Sequence, residues 1–164
     1  MEKRDLYDKN RNLTGKTIYK GESVPEGSYI VVVLIYIQNS KGEFLLQKKV
    51  QEKMDYGQLQ GDIQNLEKKG ILTEVKEEIG VNLNPEKLVK YYGGRSEKER
   101  VFWDDYYIKM DVDDIEKLKL QEEEVEKVGW FSIDEIKKMN DEGEFFRNHY
   151  EEFEVLMDLL KKSE

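Results

Sequence analysis

Apolar and polar positions fall along this chain in short blocks, and each block predicts an element. Asp5 to Tyr19 reads as two short strands around a polar turn. Ile30 to Ile37 is an unbroken, largely β-branched run, the pattern of a strand covered on both faces. Asn39-Ser40-Lys41-Gly42 predicts a turn and Phe44 to Gln47 a returning strand, together a hairpin. From Lys68 the period becomes helical. Ile71, Leu72, Val75 and Ile79 make an apolar stripe that Gly80 ends as a C-cap. Val89 to Tyr92 predicts a strand ending at Gly93-Gly94, Phe102 to Met110 an aromatic-rich strand, and Val125 to Phe131 another. Ser132 with Glu135 three residues on forms a capping box for a helix over Ile133 to Met139. Phe145 to Leu160 has helical spacing, with Phe153, Leu156, Met157 and Leu160 on one face. Mixed strands with a few separate helices imply an α+β or three-layer α/β/α domain.

Composition narrows the function. A chain of 164 residues with two prolines and no linker-like tract predicts one domain with a sizeable core. Lys+Arg is 27 and Asp+Glu is 36, so the formal net charge is −9. That balance argues against DNA and anionic membranes as partners and suits a site that gathers divalent cations. The absence of cysteine removes disulfides, thiolate metal sites and a cysteine nucleophile. With His149 the single histidine, a histidine-rich metal site is excluded as well. No apolar run approaches the roughly 18 residues of a membrane helix. Met1-Glu2-Lys3-Arg4-Asp5 lacks the apolar stretch of a secretion signal, so the cytoplasm is the expected compartment.

The candidate chemistry lies in Gly61 to Val81. Glu74, Glu77 and Glu78 stand at i, i+3 and i+4, which puts three carboxylates on one helical face beside the apolar stripe. Like charges at this spacing repel, and a divalent cation reverses the sign of that interaction. Metal-assisted hydrolysis of a phosphate anhydride suits such a site. On geometry alone a solvated acidic face, balanced by Lys68, Lys69 and Lys76, is the commoner outcome.

The run Thr73-Glu74-Val75-Lys76-Glu77-Glu78-Ile79-Gly80-Val81 resembles the second half of the Nudix box, G-x5-E-x7-R-E-U-x-E-E-x-G-U, where U is a bulky aliphatic residue. Gly61, five residues and Glu67 resemble its first half. Leu45 to Val50, and Glu124-Val125 through Ile136, are also similar to family segments. Leu6-Tyr7-Asp8 with Thr14-Gly15-Lys16 is similar to the subgroup related to isopentenyl diphosphate isomerase. Isomerase chemistry itself is excluded, because it needs a cysteine and several histidines.

The resemblance implies a Nudix-type α/β/α sandwich with a mixed central sheet. It implies a single domain over 1–164 with residues 1–28 as an N-terminal hairpin extension. It also implies hydrolysis of a diphosphate linkage in a nucleoside diphosphate derivative, with Mg²⁺ or Mn²⁺. Glu77 and Glu78 would then be metal ligands and Glu74 a ligand or the base that activates water. Gly61 and Glu67 would support the site from the loop. A further acid is sought among Glu122, Glu123 and Glu124, with Glu124 preferred. A homodimer is compatible with all of this.

Two positions depart from the box. Thr73 stands in its arginine slot, and five residues rather than seven separate Glu67 from Thr73. A threonine hydroxyl cannot replace the charge-assisted hydrogen bonds by which that arginine orients the glutamates. The alternative reading is therefore a catalytically impaired Nudix fold that binds a nucleotide or a protein. Among weaker features, the aromatic strand around Phe102, Trp103, Tyr106 and Tyr107 reads as core rather than a base-stacking platform. Arg95 and Lys48-Lys49 are candidate phosphate contacts, and His149 reads as structural or exposed.

Overall fold

The computed structural model of the chain describes residues 3–49, 56–57, 59–62, 68–122, 125–145 and 150–163. Strands β1 (Lys3–Tyr7) and β2 (Leu13–Tyr19) form a separate antiparallel pair. A mixed sheet contains β3 (Ile30–Gln38), β4 (Phe44–Lys49), β5 (Tyr56–Gly57), β6 (Leu59–Asp62), β7 (Val89–Ser96), β8 (Val101–Lys109) and β9 (Val125–Phe131). The helices among the described residues are α1 (Lys68–Ile79), α2 (Ile133–Asp141) and α3 (Tyr150–Lys162).

The sheet is built around β3. It runs parallel to β8 from Ile30 opposite Val101 to Gln38 opposite Lys109, while Val32 to Ile35 pair antiparallel with β6. Side-chain alternation then sorts the layers. Val31, Val33, Ile35 and Ile37 face one side with Leu45, Tyr106 and Ile108, where Val75 and Ile79 of α1 cover them. Tyr36 faces the other side with Phe44 and Leu46, under Ile136 of α2 and Phe153 and Leu156 of α3. Phe44 meets both Tyr36 and Phe153 edge-on, an arrangement favoured by the ring quadrupole. The predicted α/β/α sandwich with a mixed central sheet is the observed architecture. Phe102 and Tyr106 are buried in the α1-side core, as read from the sequence.

Two helix ends follow local chemistry. Gly80 takes φ 76° and its N–H donates to Lys76 O at 2.9 Å, closing α1 in a conformation that suits glycine. At α2, Glu135 N donates to Ser132 Oγ at 3.1 Å and Ser132 N to Glu135 Oε1 at 3.0 Å, both halves of the predicted box.

Three expectations need correction. The β3–β4 hairpin opens after the single pair Gln38–Phe44, because β6 takes the neighbouring edge of β3 and β4 aligns with β9 instead. Strand β7 does not stop at Gly93-Gly94 but continues to Ser96. Both glycines lie against Trp103 of β8. A Cβ on Gly93 would stand 2.8 Å from the Trp103 carbonyl oxygen, and one on Gly94 would enter the indole ring. Finally, Phe145 is fully buried but stands outside the last helix, described from Tyr150, and residues 146–149, including His149, lie outside the described residues.

The N-terminal pair is fastened to the body by polar and apolar contacts together. Tyr7 and Tyr29 exchange backbone hydrogen bonds of 2.8 Å, and Arg95 Nη1 donates to Lys9 O at 3.0 Å. Tyr7 is fully buried in the α1-side core, and Leu6, Ile18 and Ile30 form a smaller apolar cluster beside it. No helix among the described residues is long and apolar enough to cross a membrane.

Candidate functional site

Helix α1 lies against β6 and buries Val75 and Ile79 in the core, with Leu72 packed beside them. At about 100° per residue, Glu78 adjoins Ile79 on the edge of this buried stripe and Glu77 lies further round toward solvent. Glu78 is accordingly 6% exposed, whereas Glu77 is exposed. Glu74 occupies α1 one turn before Glu78, so their Cα atoms share a side of the helix. The side chain of Glu74 lies outside the described residues, as do Glu67 and Glu124 entirely. Gly61 pairs in register with Val33, which fixes the start of the segment entering α1. Thr73, in the slot of the box arginine, is exposed.

One contact that sequence reasoning missed ties a distant segment to this helix end. Gln121 N donates to the carbonyl oxygen of Glu78 at 2.8 Å, and Val125 N donates to Gln121 O at 2.9 Å. The acidic stretch 122–124 thus follows directly from a residue bonded to α1. The sequence signal was weak: a polar residue before three acids, with no spacing that links it to α1. Backbone packing strengthens the junction, since a Cβ on Gly80 would lie 3.5 Å from the backbone of Lys119.

The acids predicted to act are carboxylates only, a hard-oxygen set that matches Mg²⁺ or Mn²⁺ and disfavours soft metals. Among the described residues no three acidic or histidine side chains stand close enough to share an ion. The pair with described side chains, Glu77 and Glu78, offers one accessible and one sheltered carboxylate on the same helix.

Other candidates take different roles. Arg95 bonds Glu97 Oε1 through Nε at 2.6 Å and lies 5.7 Å from the Tyr29 ring centroid and 5.8 Å from that of Phe102. It joins the N-terminal pair to the sheet. Lys48 stands 3.5 Å from Glu126 across β4 and β9.

Sequence reading also missed two adjacent acids inside the sheet. Asp104 is 3% exposed and accepts from Arg11 Nη1 at 2.9 Å, from Arg11 Nη2, and from Lys90 Nζ at 2.9 Å. Burial pushes its carboxyl up, but the hydrogen bonds from Arg11 and Lys90 outweigh this and hold it below the usual range. Asp105, on the opposite face, is fully buried, and neither carboxylate oxygen has a hydrogen-bond partner among the described residues. Burial first, then the charges of Glu152 and Asp104, push it up to about 8. A signal existed: two acids at the centre of an aromatic strand place one on each buried face.

The NUDIX domain family model matches residues 28–152. An uncharacterised Nudix hydrolase of Listeria monocytogenes, lmo0368, is 32% identical over 159 residues, covering 88% of each chain. The crystal structure of DR0079 from Deinococcus radiodurans superposes with a TM-score of 0.65 at 16% identity, covering 88% of this chain and 91% of that one. The NUDIX domain of Shewanella oneidensis NrtR, solved in complex with ADP ribose, superposes with a TM-score of 0.61 at 13% identity, over 80% of this chain and 88% of that one. With most of its length matched by the family model and a relative this similar along nearly the whole chain, the protein belongs to the Nudix family.

Proposed function

We propose that this protein hydrolyses a diphosphate linkage in a nucleoside diphosphate derivative, with Mg²⁺ or Mn²⁺ held by Glu74, Glu77 and Glu78. The observation that carries the reading is the setting of Glu78. It is a nearly buried carboxylate on a helix that also bears Glu74 and Glu77, at the end bonded to the segment leading into Glu122–Glu124.

In this reading Glu77 and Glu78 hold the cation, and Glu74 is a further ligand or accepts the proton of the attacking water. When bound, the cation would neutralise charge on the leaving phosphate and make a nearby water easier to deprotonate. Gly61 and Glu67 shape the approach to α1, and Glu124 contributes an acid from outside the box. The bond from Gln121 to Glu78 supports the last assignment, because it anchors the preceding segment to the same helix end. The ADP ribose bound to the structurally similar NrtR domain supports a nucleoside diphosphate derivative as the substrate class. The N-terminal β1–β2 pair supports kinship with the isomerase-like subgroup without its chemistry.

A second reading is favoured by one feature, the exposed Thr73 in the arginine slot: a Nudix fold that binds its ligand without turnover. One experiment separates the two. ADP-ribose, NADH, dinucleoside polyphosphates and nucleoside triphosphates are incubated with the protein and Mg²⁺ or Mn²⁺, beside the variant Glu78→Gln. The expected result is metal-dependent release of phosphate products, reduced by about 10²-fold or more in the variant. Turnover unchanged by the substitution refutes the site assignment. Saturable Mn²⁺ binding without turnover on the whole panel establishes the binding reading.

A further inference from the structure

On the face opposite α1, a cleft of about 510 Å³ opens where the parallel strands β3 and β8 end, between α2 and α3. Tyr107, Met157 and Leu160 line it with apolar surface, and Lys109, Lys137 and Lys161 surround it. None of these lysines makes an ion pair within 4.0 Å with a described residue, although the chain carries a net charge of −9. Acids do stand nearby in sequence: Asp111 faces Lys109, Asp134 precedes Lys137 by one helical turn, and Asp158 does the same for Lys161. Those carboxylates nevertheless leave the three ammonium groups unbridged. The floor is already ordered, because Tyr107 Oη donates to Gln38 Oε1 at 2.5 Å and Gln38 Nε2 donates to Gly42 O at 3.3 Å.

We propose that this cleft is a second binding site, separate from the α1 carboxylates, that takes a small organic anion with a flat apolar body. Its volume lies within the roughly 300–1,000 Å³ of small-molecule pockets. An apolar body displaces water from Tyr107, Met157 and Leu160. The anionic head is attracted by three cations of one sign at the rim of a low-dielectric wall, an arrangement that focuses the field. A neutral apolar ligand gains only the first term, and inorganic phosphate only the second. The ends of parallel strands are also where open α/β sheets leave room for ligands.

Phenyl phosphate is the probe, added to ¹⁵N-labelled protein in EDTA so that no divalent ion recruits it to α1. Benzyl alcohol and inorganic phosphate serve as matched controls. The expected result is saturable, single-site shifts of the amides of Lys109, Ile133 and Lys161, at least about tenfold tighter than for either control and weakening with added salt. The variant Lys109→Gln/Lys137→Gln/Lys161→Gln, all exposed positions, should weaken the probe by about tenfold or more. It should leave metal-dependent phosphate release unchanged. Glu78→Gln should have the opposite pattern. Shifts confined to other surfaces, equal affinity for the neutral control, or affinity unaffected by the triple substitution would overturn the proposal. Those outcomes leave the reading of α1 standing, and failure of the α1 assay leaves this site standing.

Discussion

Replacing Asp105 by asparagine should make the protein more stable at alkaline pH and barely change it at acid pH. The side chain is fully buried on β8, under α3, beside Tyr36 and Glu152, with its carboxyl pushed up to about 8 from an ordinary value of 3.8. In the unfolded chain the same carboxyl ionises near its ordinary value. Between these two values the unfolded state has lost the proton and the folded state has kept it, so the unfolded state is increasingly favoured as pH rises. Linkage sets the slope at about 1.36 kcal/mol per pH unit, and four such units give roughly 6 kcal/mol as an upper bound. Since a domain is stable by only about 5–15 kcal/mol, even half of that is decisive. Asparagine has nearly the same volume and does not titrate. Urea unfolding of both proteins from about pH 3 to about pH 9 isolates the effect, because every other group titrates in both. The difference curve should be flat below about pH 4 and rise in favour of the variant up to about pH 8. Parallel curves across that range would refute a protonated Asp105.

Asp104→Asn should behave in the contrary sense. It weakens the contacts of Arg11 and Lys90 and should lower stability by about 2 kcal/mol at neutral pH in urea unfolding. Because the Asp104 carboxyl is held below its usual value, that contribution is present above the unfolded value and fades as pH falls through the folded one. Gly93→Ala should cost about 1–3 kcal/mol in thermal unfolding, since the Trp103 carbonyl oxygen it meets is backbone and cannot rotate away. Ser132→Ala should cost about 1 kcal/mol and speed amide exchange in the first turn of α2, because it removes the acceptor of Glu135 N.

The elements most legible in the sequence were those whose signal is local. The β-branched run of β3, the stripe ended by Gly80, and the Ser132–Glu135 box each carry their cause within a few residues. That Glu74, Glu77 and Glu78 stand on one helix was legible for the same reason, since the helical period is local. What stayed hidden depends on partners far away in the chain. Gly93 and Gly94 looked like a turn because nothing nearby announces that Trp103 will lie across them. Phe44 followed a proper turn, yet whether β4 stays beside β3 is decided by β6. The bond between Gln121 and Glu78 and the burial of Glu152 on the inner side of α3 are likewise products of assembly.

Asp104 and Asp105 stand next to each other on β8, yet one is a charged acceptor facing Arg11 and Lys90 and the other a protonated acid in a dry layer. Sliding β8 by a single residue against β3 would invert them. Either way the charge of Asp104 would enter the dry side; slid in one direction Trp103 would take its place before Arg11 and Lys90, and slid in the other Asp105 would. A one-residue slip moves every side chain of a strand to the other face, so register is strongly specified in strands buried like these. Two neighbouring acids with opposite requirements therefore act as a ratchet tooth, admitting one alignment of the central strands and rejecting its nearest competitors.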